Sequence, residues 1–205
     1  MNILHIDCST RADSHSRALS AALVAHLSKD MPQVRVTRRD LGLAPIAHAS
    51  AAYADGLQSP QALQEALAGS AMTLSEQLIV EVEHADVLVI GTPMHNFTVP
   101  SVFKAWLDQV LRVGRTIGRT AEGRKTGLLV DRPVHVAIAA GGFFSGERPS
   151  QPDFLTPYLS AAFACIGLHS VHYLALQGTA VLEPAQLRVE HERLLDSLAE
   201  GRARP

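Results

Sequence analysis

Short apolar runs alternate five times with segments of helical period, and this alternation constrains the fold of the chain more than any other feature. The runs have the length of strands and occupy residues 2–8, 34–37, 87–90, 134–138 and 171–176. The first, third and fourth runs are almost continuously apolar, which is typical of strands buried on both faces. Strands that alternate with helices in this way form parallel sheets with helices on both sides. The sequence therefore predicts an α/β protein with a doubly wound sheet.

The segments between and after the runs carry apolar residues at helical spacing. Helices are expected near residues 19–27, 60–82, 100–111, 154–166 and 184–198, with an interruption at Gly69-Ser70. Two stretches lack a clear period. Residues 42–59 are expected to be irregular, and the charged, glycine-containing residues 115–132 predict a long surface excursion.

Length and composition narrow the class of protein. With 205 residues, of which 47% are apolar, the chain is expected to form one domain over residues 1–205 with a sizeable core. The chain has eighteen basic and twenty acidic residues, and its net charge of −2 provides no basic surface for nucleic acid. The amino terminus lacks a signal peptide pattern, and no apolar stretch approaches the ~18 residues of a membrane span. We expect neither a nucleic-acid partner nor membrane insertion.

The cysteines and histidines favour neither disulfides nor a metal site. Cys8 and Cys165, the two cysteines of the chain, are far apart in apolar surroundings, as is typical of thiols in a reducing cytoplasm. The ten histidines form no H-x-x-x-H pair, and the chain has no C-x-x-C pair. We therefore expect a cytoplasmic protein without a bound metal.

The loop after the first strand is a candidate phosphate site. In doubly wound sheets, ligands bind at the carboxyl ends of the strands, where the strand order reverses. Ser9, Ser14 and Ser16 follow the first strand, with the last two at the start of a helix. Hydroxyls and the unpaired amides of a helix N-terminus hold a phosphate dianion without a lysine. An ordinary helix start, capped by Asp13 or Ser14, explains the same residues.

Two further loops extend this candidate site. In TPMHNF, residues 92–97, Met94 and Phe97 fit the face of a flat ring and Asn96 its polar edge, unless both apolar side chains pack into the core. Ala139-Ala140-Gly141-Gly142 has almost no side chains, so another group can approach its main chain closely; a tight turn has the same composition. Together the three loops predict a cleft for a phosphate joined to a planar, hydrogen-bonding ring. Flavin mononucleotide (FMN) matches that description.

In this order and spacing, the segments resemble the FMN-dependent NADH-azoreductases and related NAD(P)H:quinone oxidoreductases, which have a flavodoxin-like fold. Ser9 with Ser14-His15-Ser16 is similar to the family's phosphate loop, and residues 93–97 to its P-M-Y-N-F motif. Residues 139–142 correspond to S-R-G-G, and residues 156–160 to T-P-Y-L-S. The resemblance extends to about residue 178 and implies a three-layer sandwich whose five parallel strands have the order 2-1-3-4-5.

The resemblance also implies the function. It implies tightly bound FMN, held by Ser9, residues 14–16, residues 94–97 and residues 139–142, and NADH or NADPH as the electron donor. Quinones and azo compounds would be reduced in a ping-pong reaction, in which the nicotinamide gives a hydride to flavin N5 and leaves before the acceptor binds. A flavodoxin-like electron carrier and a non-catalytic FMN-binding module are the alternatives.

A homodimer with FMN sites at the subunit interface is implied as well. Trp106, Phe143-Phe144 and residues 115–132 are candidates for that interface, although Trp106 fits a core position equally well.

The chain departs from the family pattern at three places. His95 stands where the family has Tyr, and as a residue that changes charge near neutral pH it is the candidate proton donor to the acceptor. Ala139-Ala140 replace Ser-Arg, which removes a hydroxyl and a cation near the flavin. Ile117-Gly118-Arg119 stand where the family often presents an aromatic residue over the flavin. Substrate preference is therefore the property that the resemblance defines least.

Overall fold

A computed structural model of the chain describes residues 1–29, 31, 33–147 and 149–199. Its strands and helices are, in chain order, β1 Asn2–Asp7, α1 His15–Ser28, β2 Arg35–Asp40, α2 Ala51–Gly56, α3 Pro60–Ala68, α4 Thr73–His84, β3 Val87–Pro93, α5 Ser101–Val110, β4 Ile117–Arg119, β5 Lys125–Gly127, β6 Val134–Ala139, α6 Thr156–Ile166, β7 Val171–Leu176 and α7 Pro184–Ala199.

Five strands form one parallel sheet in the order β2-β1-β3-β6-β7. The strand order reverses between β1 and β3, because the chain moves from β1 to one edge of the sheet and from β3 to the other. The predicted order 2-1-3-4-5 is confirmed for this sheet, with β6 and β7 as the fourth and fifth predicted strands. The switch point predicted to bind a ligand therefore lies between β1 and β3.

Helices cover both faces of the sheet. Helices α1 and α7 pack on one face, in a cluster that includes Leu19, Leu23, Leu187 and Leu194. Helices α4, α5 and α6 pack on the other face, in a cluster that includes Leu78, Phe103, Trp106 and Phe163. The predicted three-layer sandwich is confirmed. Trp106 is fully buried in this core, so its candidacy for a subunit interface was wrong.

The segment predicted to be irregular contains a helix. Helix α2 begins after Ser50, whose Oγ accepts a hydrogen bond from the amide of Tyr53 at 3.2 Å. Tyr53 is buried, and its hydroxyl donates to the carbonyl of Asp108 at 3.1 Å. Six residues are too few to show a helical period, so the sequence pattern did not reveal this helix. The predicted interruption at Gly69-Ser70 is confirmed, since it separates α3 from α4.

The predicted surface excursion is an ordered hairpin of β4 and β5. The amide of Leu129 donates to the carbonyl of Ile166, at the end of α6, at 3.0 Å. A Cβ added to Gly127 would lie 2.0 Å from the amide nitrogen of Gly167, so the hairpin contacts the end of α6 through bare backbone. Because α6 ends where β7 is about to begin, the hairpin lies at the amino edge of the sheet.

Two histidines stack across neighbouring strands beneath α1 and α7. His135 on β6 pairs with His172 on β7, and their ring centroids are 5.1 Å apart at an angle of 25°. Nδ1 of His135 is buried without a hydrogen-bond partner in the described part of the chain. Burial above all, and then the nearby His172 and His26, lowers the pKa of His135 from 6.5 to about 4. The folded protein therefore resists protonation of this ring.

This histidine predicts an acid-sensitive stability. Because the pKa of His135 is lower in the folded state, the unfolded chain binds the proton first, and stability falls from about pH 6.5 down to about pH 4. Replacing His135 by Val should remove this loss. Between pH 7 and pH 4.5, the free energy of unfolding should therefore fall by about 2 kcal/mol less in the variant than in wild type. Urea unfolding at both pH values measures the difference, with the exposed His169→Val as the control. Equal losses in wild type and His135→Val would contradict the prediction.

Candidate functional site

The three predicted loops leave the sheet at one edge. Along the ladders, Asp7 pairs with Gly91, and Gly91 pairs with Ala137. Pairing continues beyond the first strand, since the amide of Cys8 donates to the carbonyl of Gly91 at 2.8 Å. It also continues beyond the third, since the amide of Met94 donates to the carbonyl of Ala139 at 2.9 Å. The loops after β1, β3 and β6 therefore meet at the carboxyl edge, beside the switch point.

Three serines lie at or just before the N-terminus of α1, at this edge; Ser14 is half-buried, and Ser9 and Ser16 are buried. Ser14 is the N-cap, and its Oγ accepts from the amide of Arg17 at 3.3 Å, as the capped-helix interpretation predicted. The Oγ atoms of Ser14 and Ser16 are 3.2 Å apart, and Ser9 Oγ accepts from the amide of Arg11 at 3.2 Å. The amides of a first helical turn have no intrahelical acceptor, and the dipole there favours an anion. His15, on the same turn, is exposed.

A glycine in β3 lets α1 approach the sheet. A Cβ added to Gly91 would lie 2.5 Å from Ser20 Oγ and 2.8 Å from the carbonyl oxygen of Ser16. Any side chain at this position would push α1 away from β3. Close contact between helix and strand therefore sets how near the first turn of α1 lies to the loop after β3.

Residues 95–98 form a tight turn with an unusual backbone. The amide of His95 donates to the carbonyl of Thr98 at 2.9 Å, and the amide of Thr98 returns a bond to His95 at 3.0 Å. Both central residues have positive φ, 47° for Asn96 and 72° for Phe97, as in a type I′ turn. Asn tolerates this conformation, whereas Phe does so rarely and at an energetic cost.

The side chains of this turn divide between core and surface. Met94 is half-buried and packs against the core, as one of the two interpretations of this loop predicted. Phe97, in contrast, is 44% exposed. His95 and Asn96 are exposed, and their side chains make no hydrogen bond within the described part of the chain. His95, Asn96 and Phe97 are therefore the side chains of this turn that are open to solvent.

The loop after β6 is tied down through its carbonyl groups. Ala140 is buried, and its carbonyl accepts from the amide of Thr179 at 3.0 Å. The carbonyls of Gly141 and Gly142 accept from the amides of Ala180 and Gly178, each at 3.2 Å. The amides of Gly141 and Gly142 have no acceptor among the residues that the structure describes. The loop thus leaves two amide donors at the carboxyl edge.

Gln151 is a residue of this site that the sequence did not reveal. Its Nε2 donates to Sδ of Met94 at 3.2 Å, and its backbone amide donates to the carbonyl of Phe143 at 3.1 Å. A Cβ added to Gly142 would lie 3.1 Å from Gln151 Oε1. The carboxamide therefore lies between the loops after β3 and β6. Its position in an irregular segment well beyond the end of β6 gave no signal in the sequence pattern.

Two features of the described chain concern metal ions and membranes. Among the residues that the structure describes, no group of three or more His, Cys, Asp or Glu side chains is arranged to hold a metal ion. None of the described helices combines the length and the apolar character needed to cross a membrane.

Comparison with known proteins places the chain in a family. A family model described as a flavodoxin-like fold matches residues 1–198. A protein of Pseudomonas fluorescens named FMN-dependent NADH:quinone oxidoreductase 4 is 44% identical over 178 residues, which cover 86% of this chain and 84% of the relative. The chain belongs to this flavodoxin-like family.

Further members and structures agree with this assignment. FMN-dependent NADH:quinone oxidoreductase 5 of Burkholderia lata is 45% identical over 183 residues, 87% of this chain and 86% of the relative. A structure of an FMN-dependent NADH-azoreductase from Bacillus anthracis in complex with FMN superposes with a TM-score of 0.80 over 99% of each chain, at 20% identity. At that identity the likeness establishes the shared fold.

A group of buried charges lies directly below the first loop of this flavodoxin-like site. Asp7 is fully buried and accepts from Arg38 at 2.8 Å and from Ser20 at 3.1 Å. Burial alone would raise the pKa of Asp7, but bonds from His5 and Arg38 and the charges of His5 and Arg17 lower it overall. Hydrogen bonds from Arg17 lower the pKa of Asp40, at the end of β2, to about 2. The sequence pattern did not reveal this group, because its members come from separate elements.

The left-handed backbone at Phe97 predicts that a Gly variant is more stable than an Ala variant, which is the reverse of the usual order. Both Phe97→Ala and Phe97→Gly delete the ring, but Gly alone adopts a φ near 72° without strain. Phe97→Gly should therefore be more stable than Phe97→Ala by about 1 kcal/mol. Chemical unfolding of the two variants measures this difference. As a control, Ala161→Gly on the exposed side of α6 should lose about 1 kcal/mol. A Phe97→Ala variant at least as stable as Phe97→Gly would exclude the left-handed turn.

Proposed function

We propose that this protein is an FMN-dependent NADH:quinone oxidoreductase that also reduces azo compounds. The observation that carries the proposal is the convergence of three loops at the switch point. One loop offers hydroxyls and first-turn amides, the second an exposed Phe97, and the third the free amides of Gly141 and Gly142. The names of relatives that are 44% and 45% identical over most of the chain support the same activity.

The donors at this edge fit FMN. A phosphate dianion needs several hydrogen-bond donors and a positive field, and we assign it to Ser9, Ser14, His15 and Ser16 with the first-turn amides of α1. The flavin ring has carbonyl and nitrogen acceptors along one edge. We assign that edge to Asn96 and to the amides of Gly141 and Gly142, next to the small residues Ala139 and Ala140.

The apolar faces of the ring match the second loop. We assign Met94 and Phe97 to contacts with the ring, because Met94 lines the core side of the loop and Phe97 is exposed on the other. Flat conjugated acceptors such as quinones stack on the same kind of surface. The strained backbone that holds Phe97 outward is consistent with a functional requirement for this side chain.

Bound FMN supplies the redox chemistry, as the acceptor of a hydride from NADH and the donor of reducing equivalents to the quinone. The chain provides binding and orientation, and it delivers protons to the oxygen atoms of the reduced quinone. His95 is exposed at this edge and is the residue that we assign to that proton transfer, from a ring nitrogen to a quinone oxygen. NADPH is the alternative donor to NADH.

We further propose that the protein acts as a homodimer in the cytoplasm. Phe154 is 59% exposed, and its amide donates to the carbonyl of Phe97 at 3.1 Å, so two exposed aromatic residues lie together beside the site. A second subunit that covers them would close the site. Residues 115–132 lie at the amino edge of the five-stranded sheet, opposite to the candidate site, so Ile117-Gly118-Arg119 would reach a flavin only in a partner subunit. The unpaired thiols of Cys8 and Cys165 suit a reducing compartment.

The function predicts a coloured, NADH-reducible protein. Purified protein supplied with FMN should retain flavin absorbance after gel filtration, because the phosphate and ring donors hold the cofactor. Anaerobic NADH should bleach that absorbance, and a benzoquinone should restore it. Protein that stays colourless would favour the non-catalytic module. Protein that binds FMN but oxidises NADH no faster with quinone than without it would favour an electron carrier.

The role of His95 predicts a changed pH profile. His95→Gln keeps a polar side chain but cannot supply a proton, so quinone turnover should fall roughly tenfold near pH 6 and its pH dependence should flatten. Steady-state rates between pH 5 and 9 measure both effects, with FMN occupancy determined from the spectrum. His169→Gln, at the amino edge, is the matched control. A profile for His95→Gln that parallels wild type would remove His95 from the reaction.

A further inference from the structure

Arg17 is a buried cation beside the candidate phosphate loop, and most of its donors are already used within the fold. Its side chain is only 8% exposed. Nε and Nη2 donate to the carbonyl oxygen of Ser9 at 3.2 and 2.6 Å. Nη1 and Nη2 donate to the two carboxylate oxygens of Asp40 at 2.8 and 2.6 Å. Nη1 also lies 3.5 Å from Asp7 Oδ2, so little of the five-donor fork remains for a ligand.

The charge of Arg17 is also largely compensated. Asp40 stays ionised at any ordinary pH, because the hydrogen bonds from Arg17 lower its pKa to about 2. Asp7 adds a second carboxylate, which is shared with Arg38. An anion above the loop therefore meets a nearly neutral group of side chains, and its main attraction comes from the helix terminus and the hydroxyls.

These contacts connect three parts of the chain that border the loop. Arg17 is in the first turn of α1, Ser9 follows β1, and Asp40 ends β2. The carbonyl of Asp7 accepts from the amides of Leu41 and Gly42 at 2.8 and 3.1 Å, which holds the exit of β2 against the exit of β1. A Cβ added to Gly42 would lie 1.8 Å from the Ser9 carbonyl oxygen, so this oxygen sits in a closed pocket of backbone and guanidinium.

We infer that Arg17 and Asp40 act as a positioning pair for the phosphate of FMN. The pair orients the Ser9 carbonyl, and through it the loop that carries the Ser9 hydroxyl and leads to Ser14, without contact between Arg17 and the phosphate. This inference rests on the proposed function, and it adds a role for two residues that do not face the ligand.

Two conservative variants separate positioning from direct binding. Arg17→Lys keeps the charge but loses the planar fork, and Asp40→Asn keeps the shape but releases Arg17. A positioning pair predicts that both variants weaken FMN binding at least tenfold. Riboflavin, which has the same ring and no phosphate, should change by less than threefold. If Arg17 bound the phosphate itself, Asp40→Asn would leave FMN binding unchanged or strengthen it, and that result would overturn the inference.

The measurement is the ratio of the FMN and riboflavin dissociation constants, from quenching of flavin fluorescence by the apoprotein. Arg115→Lys is the matched control, because Arg115 makes a similar fork to Glu83, at 2.6 and 2.7 Å, near the other edge of the sheet. The control should lower stability and leave the ratio unchanged. If Arg17→Lys binds both flavins with the same ratio of dissociation constants as wild type, the positioning role is refuted and the proposed function is not. Wild type that binds neither flavin would refute the proposed function.

Discussion

The site depends on the contact between α1 and β3 at Gly91. Where most strands of a sheet hold a helix at the distance set by side chains, here the backbone of β3 meets Ser16 and Ser20 directly. The contact lowers α1 onto the sheet, so the first turn of the helix stands beside the loop after β3. The helix terminus and the turn of residues 95–98, to which we assign the phosphate and the ring in the proposed site, lie close together because this position lacks a side chain.

The amino and carboxyl edges of the sheet differ in their polar contacts. At the amino edge the chain makes ion pairs between arginines and glutamates, including Arg112 with Glu76 and Arg115 with Glu83, and it packs a hairpin against the end of α6. These contacts occupy both arginine side chains, although Nε of Arg112 is buried without a partner in the described part of the chain. At the carboxyl edge, ion pairs of Arg17 with Asp40 and of Arg38 with Asp7 lie below the first loop. The amides of Gly141 and Gly142 have no acceptor within the described part of the chain, and Phe97 is exposed.

Much of the architecture was readable from the sequence, because strands buried on both faces are almost continuously apolar. The apolar runs at residues 87–90 and 134–138 predicted strands in this way. The same pattern located the three loops that follow the first, third and fourth predicted strands. What the sequence hid depends on contacts between distant segments. Arg17 and Asp40 meet only after β1 and β2 pair, and Gln151 reaches Met94 from an irregular segment. The excursion of residues 115–132 was expected, but its place at the amino edge depends on packing against α6.

The hydrogen bonds between the loop after β6 and residues 178–180 link the site mechanically to the end of the chain. Three consecutive carbonyls, of Ala140, Gly141 and Gly142, bind the turn that leads from β7 into α7. A peptide unit is rigid, so a carbonyl that is held on one side fixes the direction of the neighbouring amide on the other. The amides of Gly141 and Gly142 are therefore oriented by the turn of residues 178–180, and sequence change in that turn would alter the direction of both donors.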